Sequence, residues 1–248
     1  MKKERQKENK RIIIELENVR KTYQMGDVKV NALCGINLKI YEGEFVAIIG
    51  HSGSGKSTLM NMIGSLDLPT TGKIKLDNID ITTLSESELA QWRGKKIGFV
   101  FQSFNLIPTL TALENVMLPL MFKDISMDEA KEKSRKMLEK VGMSHRMNHL
   151  PRELSGGEQQ RVAIARALVV EPEVILADEP TGNIDYKSGL EIMGLLTKLN
   201  KEENRTVIVV THERFVAEHA ERIIELRDGV IIRDSKNHEF DFNNIKKK

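Results

Sequence analysis

A chain of 248 residues with a formal net charge of +2 and one cysteine is long enough to bury one sizeable core without disulfides. Its 38 basic and 36 acidic residues nearly balance, which argues against a nucleic-acid partner because that function favours a basic surplus. No apolar run reaches the roughly 18 residues of a membrane span, and we expect Cys34 to be a buried filler in a reducing compartment.

Both ends of the chain are predicted to be polar tails, at residues 1–11 and 236–248. The basic start MKKERQKENKR is similar to the first part of a secretion signal. The segment IIIELENV that follows is too short for the apolar part of such a signal and is interrupted by Glu15 and Glu17. We therefore expect a solvated tail that leads into a strand.

Two parts of the chain show the alternation typical of antiparallel strands. Apolar and polar residues alternate over about the first forty residues, around a Met25-Gly26-Asp27 turn, which indicates paired strands. Near the other end, RIIELRDGVIIRD indicates a hairpin, because Asp228-Gly229 supplies the positive φ angles of a tight turn.

Four short apolar runs indicate a mainly parallel sheet that is buried on both faces. They read FVAIIG, KIGFVFQ, EVILADE and TVIVVTH, and helical stretches separate them. The runs end in a loop that starts at Gly50, in Gln102, in Asp178 with Glu179, and in His212. Because open α/β sheets bind ligands at the carboxyl ends of their strands, we expect these residues to meet at one edge.

A helical insertion is predicted between the second and third runs, at residues 103–154. Its clearest helix begins at Ser126, where Glu129 follows three residues later as in a capping box. Gly142 is expected to stop that helix.

The segment GHSGSGKST, directly after the first run, matches the pattern G-x-x-x-x-G-K-[ST] of a phosphate-binding loop. Backbone N–H groups of such a loop bind the β-phosphate of a nucleotide, helped by the N-terminus of the next helix. We expect Lys56 to reach the β- and γ-phosphates and the Ser57 hydroxyl to bind Mg²⁺. A plain strand-to-helix turn is the alternative, and the lysine, the hydroxyl and the flanking elements argue against it. The predicted loop site is Gly50, His51, Ser52, Gly53, Ser54, Gly55, Lys56, Ser57 and Thr58.

The other strand ends are candidates for catalysis. Asp178 is suited to hold Mg²⁺ through water, and Glu179 is suited to polarise the attacking water as a general base. An acidic pair after a strand also commonly caps the next helix. We expect Gln102 to orient the water or bind Mg²⁺, and His212 to hold the γ-phosphate rather than make only a structural hydrogen bond.

The segment LSGGEQQRVAIARAL, residues 154–168, has the features of a second anion site at a helix N-terminus. Ser155 and Glu158 form a capping box, so a well-capped helix is part of the explanation. Capping does not explain Gly156 and Gly157, which cost about 1 kcal/mol each relative to alanine in a helix and let a phosphate approach the backbone. Since the first loop already serves the chain's own nucleotide, the second site suits a phosphate that belongs to another molecule.

This segment resembles the signature motif of ABC-type ATPases, and the other motifs follow in that family's order from about Ile12 to Asp234. The resemblance implies an α/β fold: a P-loop NTPase core with a RecA-like parallel sheet, an N-terminal antiparallel β subdomain and a helical insertion lobe. We expect residues 12–102 and 155–235 to form the ATP-binding lobe and residues 103–154 the helical lobe. The resemblance also implies an ATPase whose cofactors are ATP and Mg²⁺.

In that family, two subunits enclose two ATP molecules head to tail. The resemblance therefore implies a homodimer in which residues 155–158 of one copy close over the ATP held by the other copy. It implies further that Tyr23 stacks on adenine and that Gln102 and His212 are the Q-loop and switch residues. Asp185, in the segment GNID, takes the place of the D-loop aspartate.

A finer resemblance is to the ATPases of macrolide-efflux and lipoprotein-releasing transporters and the related cell-division ATPase. It rests on FQSFNLIPTLTALENVMLP, ADEPTGN and two shorter phrases. It implies a separate integral membrane permease as partner, a peripheral position on the cytoplasmic face of the cell membrane, and export or extraction of an amphiphilic substrate. The segment from Phe104 to Leu110 would then face the permease, or the helical lobe covers it; the residues leave both arrangements open.

Three other functions are alternatives to that of a transporter ATPase. A regulatory subunit would use the same ATP cycle to gate an extracytoplasmic hydrolase through a membrane partner, and only the identity of that partner separates the two. A soluble ABC ATPase acting on DNA or ribosomes is disfavoured, because such proteins usually carry two cassettes or a long insertion. A P-loop kinase is disfavoured because it gives no role to residues 155–157.

Overall fold

The computed structural model describes residues 10–242; most of the first predicted tail, 1–9, and the last six residues of the second, 243–248, lie outside the described residues. The strands in this part are β1 (Ile12–Met25), β2 (Val28–Tyr41), β3 (Phe45–Ile49), β4 (Thr71–Leu76), β5 (Ile79–Asp80), β6 (Ile97–Val100), β7 (Val174–Asp178), β8 (Thr206–Thr211), β9 (Arg222–Arg227) and β10 (Val230–Lys236). The α-helices are α1 (Lys56–Ile63), α2 (Glu86–Lys96), α3 (Ala112–Met117), α4 (Met127–Lys140), α5 (Gly156–Leu168), α6 (Tyr186–Glu203) and α7 (Arg214–Ala217).

The larger sheet has six strands in the order β10-β9-β3-β8-β7-β6. Neighbouring strands from β9 to β6 are parallel, and only the pair β9 and β10 is antiparallel. The four predicted apolar runs are β3, β6, β7 and β8, so this expectation is confirmed. Every residue of β3 and β8 is buried, as in a sheet that is covered on both faces.

A second, antiparallel sheet has the order β2-β1-β4-β5. The predicted pairing of the first two strands is confirmed, with the chain turning at Gly26-Asp27. The predicted hairpin between β9 and β10 is also confirmed, with φ angles of 47° at Asp228 and 73° at Gly229. Cys34 corrects an expectation: it is partly exposed rather than buried, because it lies in the edge strand β2 beside the inward-facing Leu33.

The six-stranded sheet separates two apolar cores. Val46 and Ile48 of β3 point into the core shared with the antiparallel sheet and α1. Phe45, Ala47 and Ile49 of the same strand point to the opposite side, into the core formed with helices α3 to α6. The alternation of β3 therefore packs both layers against one central strand.

Helices α3, α4 and α5 pack against one another in the helical part of the chain. Ser126 caps α4 by accepting a hydrogen bond from the Glu129 N–H at 3.2 Å, and α4 ends two residues before Gly142. Leu106 packs against the core, whereas Ile107 is exposed, so the segment from 104 to 110 is covered only in part. Within residues 10–242, no helix combines the length and the apolar character needed to cross a bilayer.

The predicted C-terminal tail does not begin at residue 236. Lys236 still belongs to β10, and Phe240 is only 7% exposed within the core. The Phe240 and Phe242 rings pack edge to face with centroids 5.0 Å apart, and Arg233 and Arg214 lie over them. Two aromatic rings anchor this segment, although the polar residues around them make it read as a solvated tail.

Candidate functional site

A cavity of about 830 Å³ lies at the carboxyl ends of the central parallel strands. It brings the loop after β3 together with the ends of β7 and β8, the residue Gln102 and part of β2. The lining residues are Val30, Asn31, Ala32, Ile49, Gly50, His51, Ser52, Gly53, Gly55, Lys56, Ser57, Thr58, Gln102, Asp178, Glu179, Val210 and His212. Of the nine predicted loop residues, only Ser54 does not line it; Ser54 is buried behind the loop.

The loop between β3 and α1 is curved around the side chain of Lys56. The Lys56 ammonium donates to the carbonyl oxygens of Gly50 at 2.8 Å and His51 at 2.9 Å. Gly55, which precedes α1, has a φ of 101°, and a Cβ there would lie 2.5 Å from the Ala32 carbonyl oxygen, so only glycine fits. Burial lowers the pKa of Lys56, and the nearby carboxylates oppose that shift. The result is a cation beside a helix N-terminus, an environment suited to phosphate.

Two carboxylates with different surroundings lie at the end of β7: Asp178 is its last residue and Glu179 follows it. Burial raises the pKa of Asp178, and the charge of Glu179 raises it further. Glu179 has a φ of 45° and donates its N–H to the Val210 carbonyl oxygen at 2.8 Å. Its carboxylate accepts from the Thr211 hydroxyl at 3.1 Å and lies 2.8 Å from His212 Nδ1. These contacts hold the Glu179 carboxylate in one orientation at the cavity wall, as a general base requires.

Both the backbone and the side chain of Gln102 make tertiary contacts. Its carbonyl oxygen accepts from Asn183 Nδ2 at 3.0 Å, across 81 residues of sequence. Its side chain packs against Gly182, where an added Cβ would lie 2.7 Å from Gln102 Nε2. The sequence analysis does not identify the contacts of Asn183 and Thr211 as part of the site. Asn183 lies within the GNID segment, and Thr211 directly precedes His212.

The N-terminus of α5 has the predicted capping box, and it lies outside the cavity. The Ser155 N–H donates to Glu158 at 2.8 Å, and the Glu158 N–H donates to the Ser155 hydroxyl at 3.3 Å. These bonds lower the pKa of Glu158, and Arg146 adds to the effect. None of residues 155–158 lines the cavity. Ser155 is exposed and Gly156 partly exposed, whereas Gly157 is buried. The first-turn N–H groups of a helix have no partner within it, so the start of α5 at Ser155 and Gly156 lies at a surface separate from the phosphate loop.

Packing within the chain also explains the two glycines, which the sequence alone did not reveal. A Cβ on Gly157 would lie 2.7 Å from the Ser188 hydroxyl oxygen, and one on Gly156 would lie 3.1 Å from the Asn183 carbonyl oxygen. The start of α5 therefore packs closely on the segment that leads into α6. This close packing favours glycine at both positions.

Asp185 and Tyr23 lie near the site without lining the cavity. Asp185 caps α6 and accepts from the Ser188 N–H and hydroxyl at 3.1 and 2.6 Å, which lowers its pKa. The Tyr23 hydroxyl lies 2.9 Å from an Asp67 carboxylate oxygen. Tyr23 pairs across the sheet with Val30, which does line the cavity. Because Tyr23 itself does not line it, stacking of Tyr23 on adenine stays a prediction.

The three predicted magnesium ligands lie at the same cavity and all offer oxygen atoms. They are Ser57, Gln102 and Asp178. Among residues 10–242, no cluster of three or more His, Cys, Asp or Glu side chains could hold a metal ion. This donor set fits Mg²⁺, which keeps several waters and shares phosphate oxygens rather than entering an all-protein cage.

The central strand β3 of the parallel sheet leads through a lysine-containing phosphate loop into a helix. An acidic pair stands at the end of β7, which β8 separates from β3. Together these features define a P-loop nucleoside triphosphatase. Comparison with known proteins narrows this class. The profile of the family described as ABC transporter matches residues 33–182. The chain therefore belongs to the ABC transporter family, as an ATPase that uses ATP and Mg²⁺.

Two relatives illustrate the range of the matches. The uncharacterized ABC transporter ATP-binding protein MJ0796 of Methanocaldococcus jannaschii is 54% identical over 233 residues, which are 92% of this chain and 99% of the relative. The macrolide export ATP-binding/permease protein MacB of Bdellovibrio bacteriovorus is 51% identical over 224 residues, 90% of this chain but 34% of MacB. The chain thus corresponds to about a third of that longer protein.

A solved structure agrees with the fold. The dimeric, post-hydrolysis structure of MJ0796 bound to ADP and Pi superposes with a TM-score of 0.85 at 53% identity, covering 92% of this chain and 100% of that one.

Proposed function

We propose that two copies of this chain bind two Mg-ATP molecules between them and that hydrolysis drives a separate membrane permease. The observation that carries the composite site is that residues 155–158 do not line the cavity formed around Lys56. Each chain therefore has one phosphate loop and one separate helix N-terminus that begins at the exposed Ser155, and a two-fold dimer would join each loop to the partner's helix N-terminus. The dimeric structure of MJ0796 supports this arrangement.

The proposed roles follow from the position of each residue. The loop from Gly50 to Thr58 binds the phosphates, and Ser57, Gln102 and Asp178 bind Mg²⁺. Glu179 polarises the attacking water, and His212 holds the γ-phosphate while its Nδ1 contacts Glu179. Tyr23 packs against adenine. Five residues complete the site across the dimer: Ser155, Gly156, Gly157, Glu158 and Asp185. We also propose that residues 12–102 and 155–235 form the ATP-binding lobe, and 103–154 the helical lobe.

The proposed permease contact is a groove of about 850 Å³ beside the segment after β6. Phe101, Asn105 and Arg166 line it together with Phe122, which is 90% exposed. A large exposed aromatic residue beside a partly apolar groove is typical of a protein docking site. The MacB relative joins an ATP-binding part to a permease in one protein, which supports a permease partner, a position at the cytoplasmic face of the membrane and export of an amphiphilic substrate.

Glu179→Gln tests the composite site. The amide keeps the size of the side chain but removes the base, so we expect Mg-ATP binding without turnover and an ATP-dependent dimer by size exclusion with light scattering. Glu202→Gln, at an exposed position of α6, is the control and should hydrolyse ATP at the wild-type rate. A Glu179→Gln protein that binds Mg-ATP and remains a monomer contradicts the proposal.

The partner is identified separately, by purifying the full chain with its membrane complex and sequencing the co-purified protein. A permease supports the transport function. A membrane protein dedicated to an extracytoplasmic hydrolase supports the regulatory alternative instead.

A further inference from the structure

Two consecutive residues after Gln102 have a left-handed backbone although neither is glycine. Phe104 has a φ of 57° and Asn105 a φ of 52°. The Phe104 N–H donates to the Phe101 carbonyl oxygen at 3.2 Å, which closes a tight turn. Asparagine tolerates this region, but for a bulky residue such as phenylalanine it is an outlier. Such a conformation persists only where surrounding contacts hold it.

Arg166 of α5 supplies those contacts. Its guanidinium donates through Nη2 to the Phe104 carbonyl oxygen at 2.8 Å and through Nη1 to the Asn105 carbonyl oxygen. Within residues 10–242, no carboxylate forms an ion pair with Arg166, and burial lowers its pKa. The charge is therefore partly desolvated to bind two neutral carbonyl groups. A planar guanidinium can bind both at once, which an ammonium group cannot do in the same geometry.

The turn held by Arg166 lies against the N-terminus of the same helix. A Cβ placed on Gly156 would be 3.7 Å from Phe104 Cζ, so the Phe104 ring borders the glycine that begins α5. The same Cβ would lie 3.1 Å from the carbonyl oxygen of Asn183, and the amide group of Asn183 binds the Gln102 carbonyl oxygen. Gln102, Phe104 and Gly156 thus form one contiguous set of contacts. Arg166, in the last turn of α5, ties the same turn to the other end of that helix.

We propose that Arg166 is a positioning residue for ATP-dependent association: it holds Phe104 and Asn105 in the left-handed turn, which seats the Phe104 ring against Gly156. The loop that contains Gln102 and the phosphate-facing end of α5 then move as one unit. The proposal rests on the composite ATP site described above. Arg166 touches neither nucleotide nor metal in this scheme and acts only through the turn.

The first experiment measures the turn without nucleotide. Hydrogen exchange of the segment 103–106 is compared in wild type, Arg166→Gln and the control Arg161→Gln. Arg161 lies on the same helix and also donates to a backbone carbonyl, that of Val141 at 3.0 Å, but does not contact the turn. We expect exchange in segment 103–106 to be about tenfold faster in Arg166→Gln, equivalent to about 1.4 kcal/mol, and unchanged in Arg161→Gln.

The second experiment measures association in the Glu179→Gln background. With Mg-ATP, Arg166→Gln should weaken dimerisation about tenfold or more, while Mg-ADP affinity stays within about twofold because the phosphate loop is untouched. Adding Asn105→Gly to Arg166→Gln should restore part of the dimer, since glycine adopts a positive φ without cost. Asn105→Ala should not, and Arg166→Lys should fall between wild type and Arg166→Gln.

The results separate this proposal from the composite site itself. If Glu179→Gln with Arg166 intact stays a monomer in Mg-ATP, the composite site fails, and the link between Arg166 and association fails with it. If that protein dimerises and Arg166→Gln dimerises equally well, or if exchange in 103–106 is unchanged, Arg166 is not a positioning residue. Equal loss of Mg-ADP affinity and dimerisation also overturns the proposal, because it indicates general unfolding.

Discussion

At the residue scale, the metal-binding role that we propose for Asp178 conflicts with the stability of the fold. Burial and the adjacent Glu179 charge both raise its pKa. Between the pKa of the unfolded chain and the higher pKa of the folded state, the folded protein binds more protons, so stability falls as pH rises through that window. At neutral pH, the ionised Asp178 therefore costs stability, a cost common at functional sites.

Asp178→Asn should relieve this cost and abolish function. We expect a higher midpoint of urea unfolding at pH 7, with the difference from wild type disappearing below about pH 3.9, where the unfolded aspartate is also protonated. Turnover of ATP should fall about 10²-fold or more because a charged ligand near the metal is lost. Asp124→Asn, at an exposed position of the helical part, is the control. A variant less stable than wild type at pH 7 would refute the assignment.

Site residues differ in how far the sequence could predict them. Lys56, Asp178 and His212 stand in motifs or at strand ends, so their approach to one cavity follows from local pattern and sheet geometry. Asn183 and Arg166 act through backbone carbonyl groups 81 and 62 residues away. Contacts at that separation depend on tertiary packing, which no local pattern specifies.

At the scale of elements, the boundaries predicted best are helix starts whose capping hydrogen bonds join residues close in sequence. Ser155 with Glu158 forms a complete capping box, and α5 starts where the pattern predicts. Ser85 with Glu88 forms a second complete box at the start of α2. The sequence predicts the C-terminal end of β10 and the segment after it less well. There the anchoring comes from Phe240, whose neighbours are polar and whose packing surface belongs to distant parts of the chain.

Ser85→Ala tests the contribution of one cap away from the nucleotide site. The Ser85 hydroxyl accepts from the Glu88 N–H, and the Glu88 carboxylate accepts from the Ser85 N–H at 2.9 Å. Loss of the hydroxyl should lower the free energy of unfolding by about 1 kcal/mol, measured by urea denaturation. Ser87→Ala, exposed on the same helix, should change it by less than about 0.5 kcal/mol. Equal effects of the two substitutions would show that the cap is not the cause.

At the scale of the whole molecule, the described part of the chain keeps apart the two elements that we propose to bind phosphate. The loop around Lys56 follows the central strand β3, whereas residues 155–158 begin α5 and pack on the segment leading to α6. Both helix N-termini could be predicted from sequence, because glycine, capping and lysine patterns mark them. Their separation could not, because it depends on the order of strands in the sheet and on the packing of α5 against it.

Mixing two inactive variants tests whether the separated elements meet across a dimer. Lys56→Ala removes the phosphate-binding ammonium, and Ser155→Arg places a bulky side chain at the exposed cap of α5; each alone should lack ATPase activity. In a mixed dimer, one site combines an intact Lys56 loop with the partner's intact residues 155–158. An equal mixture should recover about a quarter of wild-type activity, because about half the dimers are mixed and each has one complete site of two.

The control mixture combines Lys56→Ala with the double variant Lys56→Ala/Ser155→Arg, in which no pairing yields a complete site, so it should stay inactive. Light scattering must show that mixed dimers form with Mg-ATP. If they form and activity does not return, both elements act within one chain, because only a site built in cis is damaged in every subunit of the mixture. Recovery limited to the complementary pair can arise only if the phosphate loop of one copy works with the α5 N-terminus of the other.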